Sequence, residues 1–150
     1  MKKIIIVLII FLFLKGCGYT PIYSGKNFDF KIENVITKKN NRLNTIVEKR
    51  LKNFSNQKSQ KKISLKLDTQ KKINVLAKDS KGNPSRYEMI VEIKLETVDY
   101  QNQNTEKSFQ ESFNYNANTN KFALNQYEKE TEYLLINKNI ESIVIYLSGL

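Results

Sequence analysis

The chain has 150 residues, with 25 Lys and Arg against 15 Asp and Glu for a formal charge of +10, and it contains one cysteine, no histidine and no tryptophan. That inventory excludes an intrachain disulfide and removes the side chains on which most zinc, haem, Ser/His and Cys/His sites depend, so an enzyme is not expected and no cofactor or metal is expected. The length suits one domain with a real core and is too short for two.

Lys2 and Lys3 precede an unbroken apolar run, Ile4 to Leu14, which is followed at once by Lys15, Gly16 and Cys17. As a helix the run rises about 16 Å, roughly half of what a hydrocarbon core requires, so it reads as a signal peptide rather than a permanent span. Leu14, Gly16 and Cys17 resemble a bacterial lipobox, with Lys15 departing from the small or apolar residue usual between them. Such a signal is cut before the cysteine, which becomes the acylated first residue. Three acyl chains at about 0.8 kcal/mol per buried methylene make the attachment effectively permanent. The alternatives are an ordinary secretory signal and an uncleaved signal anchor. The expected organisation is a signal peptide over 1–16, a lipidated tether over 17–26 and a folded domain over 27–150. Gly18 stands where an aspartate resembling an inner-membrane retention signal would stand, so the expected location is the outer membrane, facing the periplasm. Loss of the signal leaves 22 basic against 15 acidic residues, a net +7. A basic periplasmic surface favours anionic partners, and there the abundant anion is lipid phosphate rather than nucleic acid. A coding bias towards Lys and Asn accounts for the same excess.

From Phe28, the alternation of Phe28, Phe30 and Ile32 with Asp29, Lys31 and Glu33 predicts a strand over Asn27 to Val35. Asn40 or Asn41 caps a helix whose face is Leu43, Ile46, Val47, Leu51 and Phe54, with Lys49, Arg50, Lys52 and Lys58 opposite. Ile63, Leu65 and Leu67 share parity with Ile73, Val75 and Ala77, which predicts one long strand interrupted near Gln70. Asp79 to Pro84 is the clearest turn. Arg86 to Tyr100 alternates Tyr87, Met89, Val91, Ile93 and Leu95 with Glu88, Glu92, Lys94 and Glu96, a sheet with one solvated side. After a turn at Asn102 to Thr105, Phe109, Phe113 and Tyr115 mark a fourth strand. Asn118, Thr119 or Asn120 then caps a long helix, Lys121 to Leu147, with an apolar stripe of Tyr133, Ile136, Ile140, Ile143 and Leu147. The fold class expected is α+β, a two-layer sandwich with two helices on one face of a four-stranded, mostly antiparallel sheet.

No phosphate-binding loop, dinucleotide fingerprint or metal-spaced acidic cluster is present in the sequence. Glu88, Glu92 and Glu96 are spaced about 13 Å apart along an extended strand, too far to pair in catalysis, and read as a solvated face. The lipobox followed by Cys17-Gly-Tyr-Thr-Pro-Ile-Tyr23 resembles the LPS-assembly lipoprotein (LptE) family, in particular its alphaproteobacterial branch. Ser85 to Glu88 resembles that family's Ser-Arg-aromatic stretch, and Phe113 to Asn116 with Phe122 and Ala123 resembles its Tyr-Asn segment before the last helix.

The resemblance implies a lipoprotein that plugs the lumen of a large outer-membrane β-barrel of the LPS-assembly protein (LptD) type and supports delivery of lipopolysaccharide to the outer leaflet. It also implies contact with lipopolysaccharide through basic loop residues. Lys78, Lys81 and Arg86 flank the turn between the second and third strands, where an Arg fork grips phosphate in two hydrogen bonds. Solvated turn charges are the competing account of the same residues. A lipoprotein subunit auxiliary to a periplasm-spanning ABC transporter would share the signal, size and fold class. A hydrolytic enzyme would need a Ser/Lys pair that nothing in the sequence brings together.

Overall fold

The computed structural model describes residues 28–99 and 101–150, so the signal, Cys17 and the tether lie outside the described residues. Four strands form one sheet in the order β1 (Lys31–Thr37), β2 (Lys62–Lys78), β3 (Pro84–Val98), β4 (Asn104–Asn116). β1 lies parallel to β2, and the other two pairs are antiparallel hairpins. Helix α1 (Arg42–Lys52) makes the crossover that a parallel pair needs, and α2 (Lys121–Ser148) follows β4. The two-layer α+β arrangement is the one the alternation predicts.

The core follows from strand parity. Ile63, Leu65 and Leu67 of β2, Met89, Val91, Ile93 and Leu95 of β3, and Phe109 and Tyr115 of β4 are all buried on one face. Val47 and Leu51 of α1 and Leu135, Ile136, Ile140, Ile143, Val144 and Leu147 of α2 close over them. The opposite face is polar and solvated. There Lys66 reaches Glu96 at 2.7 Å, Glu92 accepts from Ser108 at 2.7 Å and Glu88 accepts from Asn74 at 3.0 Å. The three glutamates serve the sheet surface, as their spacing implies.

Asparagines start both helices. Asn120 accepts from the Phe122 and Ala123 N–H groups, and Asn41 accepts from Asn44 N–H at 2.7 Å. Asn44 is buried and cross-links three segments. Its amide donates to the Lys39 carbonyl at 2.7 Å, and its oxygen accepts from Thr69 N–H at 2.7 Å.

Four local expectations are corrected. The first strand begins at Lys31, because Phe28 packs against both Phe30 and Phe54 as an aromatic cluster ahead of the ladder. It ends at Thr37 after a register shift between Ile32 and Asn34. β2 has no interruption at Gln70, since its ladder with β3 is continuous from Ser64 to Val75 and shifts only around Ala77. The polar run that suggests a break is accommodated because Lys71 finds a carboxylate partner, Glu132, under the helix layer. Finally, Tyr133 is 47% exposed and lies outside the buried stripe of α2, with the Arg50 guanidinium 3.9 Å above its ring.

Candidate functional site

The β2–β3 hairpin ends in a turn organised by Asp79, whose carboxylate accepts from the N–H groups of Lys81 at 2.9 Å and Asn83 at 2.8 Å, while Gly82 takes a positive φ of 82°. The hydrogen bonds from Asn83 lead the causes that hold the Asp79 carboxyl below its ordinary value. Arg86 pairs with Asn116 at the end of the sheet, and Ala117 N–H donates to the Ser85 carbonyl at 2.9 Å. The chain then turns into α2, whose first residues come back over the strand ends.

A cleft of about 640 Å³ opens between these parts. Arg86, Asn114, Asn116, Asn118, Tyr115 and Tyr127 are on its walls, with Ala123 and Leu124 of α2 behind them. Tyr115 stacks on Tyr87 at 5.4 Å and tilts against Tyr127 at 5.9 Å, so the three rings form an aromatic strip beside the amides. The Tyr115 hydroxyl donates to Glu128 at 2.7 Å. Burial, then that bond and the Glu128 charge, push the phenol above its ordinary value and keep it a neutral donor. Asn120 already occupies the Phe122 and Ala123 N–H groups, so the helix start contributes no free donors at those two positions. Planar aromatic faces, amide donors and acceptors and one guanidinium form a set that suits hydroxyl-rich, anionic ligands such as a phosphorylated sugar.

Of the three basic residues singled out from sequence, the cleft takes in Arg86 alone. Lys78 lies at the end of β2 opposite Pro84, and Lys81 lies in the turn; both are exposed and outside the cleft wall. The amides could have been flagged through the Asn-rich stretch 114–120, the end of β4 and the loop after it, whereas Tyr127 reaches the site from another element, α2. A second unanticipated feature is the carboxylate of Glu132. It is 1% exposed, accepts from Lys71 at 2.7 Å and is bonded to Arg42, tying α1, β2 and α2 together. Among the described residues, no group of acidic or sulfur side chains is placed to hold a metal ion, and no helix is long and apolar enough to cross a membrane.

No protein-family model matches the chain, and no curated protein matches it. Solved structures do. Rare lipoprotein B from Shewanella oneidensis superposes with a TM-score of 0.57 at 11% identity, covering 79% of this chain and 97% of that one. An uncharacterized lipoprotein B from Nitrosomonas europaea gives 0.60 at 10% identity over 82% and 87% of the two chains. A minor lipoprotein from Acinetobacter baumannii gives 0.57 at 12% identity over 81% and 92%. At these identities the likeness is one of fold: this chain shares the two-layer architecture of a set of bacterial lipoproteins.

Proposed function

We propose that this chain is a lipid-anchored envelope protein, attached through Cys17 at the periplasmic face of the outer membrane, that serves as the LptE-like subunit of a lipopolysaccharide translocon with an LptD-type β-barrel as partner. The observation that carries the reading is the shared fold, which extends over about four fifths of the chain to proteins that are themselves lipoproteins. The lipobox-like Leu14-Lys-Gly-Cys17 and the Cys17 to Tyr23 stretch agree with it. The polar sheet face also agrees, since a plug in a water-filled lumen needs a hydrophilic exterior. The cleft then supplies a place for lipopolysaccharide phosphate and sugar, with Arg86 as the phosphate fork and the half-exposed Tyr127, backed by the buried Tyr115, as ring platform. Lys78 and Lys81 add a diffuse basic field at the hairpin tip.

The test is purification of the tagged full chain from its native outer membrane in mild detergent. A large β-barrel in one-to-one stoichiometry is the expected companion. Recovery of inner-membrane ATPase components instead would replace the translocon role with that of an auxiliary transporter subunit. With the barrel in hand, Arg86→Ala is expected to weaken lipopolysaccharide binding about fivefold, the loss of one bidentate phosphate contact near a solvated cleft, with the barrel still bound.

A further inference from the structure

β1 is much shorter than the strand it joins. Its ladder covers β2 only from Lys62 to Leu67 and closes where Lys38 N–H donates to the Leu67 carbonyl at 2.9 Å. On a strand paired antiparallel, one residue's N–H and C=O point to the same side and the next residue's to the other. Odd-numbered residues of β2 therefore direct their main-chain groups away from β3. Thr69 shows the same sense: its N–H donates to Asn44 Oδ1 at 2.7 Å, and its carbonyl accepts from Asn41 Nδ2 at 3.3 Å. Helix α1 thus takes over where β1 ends, and then it too stops. The main-chain groups of Lys71, Ile73 and Val75 face outwards with no partner among the described residues, while the register with β3 runs unbroken from Thr69 to Val75.

Two further properties of this edge select an occupant. Ile73 and Val75, on the helix side, are 39% and 47% exposed, so the apolar stripe of the core continues uncovered onto the edge. Cationic groups also predominate there, with Arg42, Lys71, Lys72 and Lys78 against Asp68, Glu132 and Glu88, the last reaching Asn74 from β3. Two copies of the chain meeting along it would set one basic edge against another, which is unfavourable. We propose that Lys71 to Val75 of β2 is an acceptor edge for an extended segment of another protein in which acidic residues alternate with apolar ones. The added strand satisfies the outward N–H and C=O groups. Its apolar side chains cover Ile73 and Val75 on the helix side, and its carboxylates meet Lys72 on the open face. The edge is separate from the cleft and stands whether or not the cleft binds lipopolysaccharide.

The probe is a labelled eight-residue peptide alternating Glu and Val, with the Lys/Val peptide as its counterpart, titrated onto the full chain in mild detergent. Amide hydrogen exchange is followed residue by residue. The Glu/Val peptide is expected to bind and to slow exchange at Lys71, Ile73 and Val75 by about tenfold, whereas the Lys/Val peptide does neither. Ile73→Pro deletes one outward N–H without removing a β3 ladder bond, so it should keep the far-ultraviolet circular dichroism of the parent and weaken the peptide about fivefold. Lys72→Glu provides the second variant if the proline prevents folding, and it should shift preference to the Lys/Val peptide. The proposal falls if neither peptide slows the three amides. It also falls if those amides are already protected in the monomeric free chain, which would mean that another segment of the same chain occupies the edge. Protection that rises with protein concentration alongside dimer formation in sedimentation would assign the edge to a second copy instead.

Discussion

The two ends of β2 carry one alternating pattern and meet opposite fates. Ile63, Leu65 and Leu67 are at most 1% exposed, whereas Ile73 and Val75, of the same parity on the same strand, are 39% and 47% exposed. The difference lies in what arrives from elsewhere in the chain. β1 and α1 lie along the first half, and past Thr69, among the described residues, β3 is the one strand paired with β2. Alternation therefore reports which face of a strand is available for burial, and the neighbours decide whether the burial happens.

The contrast can be broken most severely at the buried end. Leu95, opposite Leu67 and fully buried, should lose about 3 kcal/mol of stability as Leu95→Ala, from lost transfer free energy and the cavity left behind, read from urea unfolding. The tie between the halves comes next. Burial alone would raise the Glu132 carboxyl, but hydrogen bonds from Lys71 and Arg42 outweigh it and hold it below its ordinary value of 4.5. Because the folded-state value is the lower one, the stabilisation is fully present above about pH 4.5 and is lost as pH falls through the folded-state value. Glu132→Gln should cost about 2 kcal/mol at neutral pH, less than a fully buried pair because both cations are partly exposed, and should flatten the acid limb of the stability profile. At the open end, Ile73→Ser should change stability by less than about 0.5 kcal/mol in the same unfolding assay. A loss there as large as at Leu95 would mean that the edge is covered in solution.

Much of the architecture was legible because it rests on short-range rules. The parity of Met89 to Leu95, the Asx caps at Asn41 and Asn120 and the Asp79 to Pro84 turn each depend on a few adjacent residues. What was not legible depends on distant partners. Glu132 carried no signal of a buried tie because its two cations lie 61 and 90 positions away. The polar run around Gln70 looked like a break because its ladder partner is β3, not its own neighbourhood. Phe28 and Phe30 alternate as a strand would, yet Phe28 sits between Phe30 and Phe54 in an aromatic cluster. In the cleft, Arg86 was visible as an arginine beside a turn, while Tyr127 waited on the docking of α2.

The length of β2 sets how far apart the two ends of the sheet stand. β1 enters the sheet opposite Lys62, and Arg86 faces Ala77 at the other extreme. At an extended rise of about 3.3 Å per residue the two are roughly 50 Å apart, more than a hydrocarbon core is thick. The cleft and the point where the chain enters the sheet thus stand at opposite ends of one continuous strand, and a contact made at one end lies the full length of the sheet from the other.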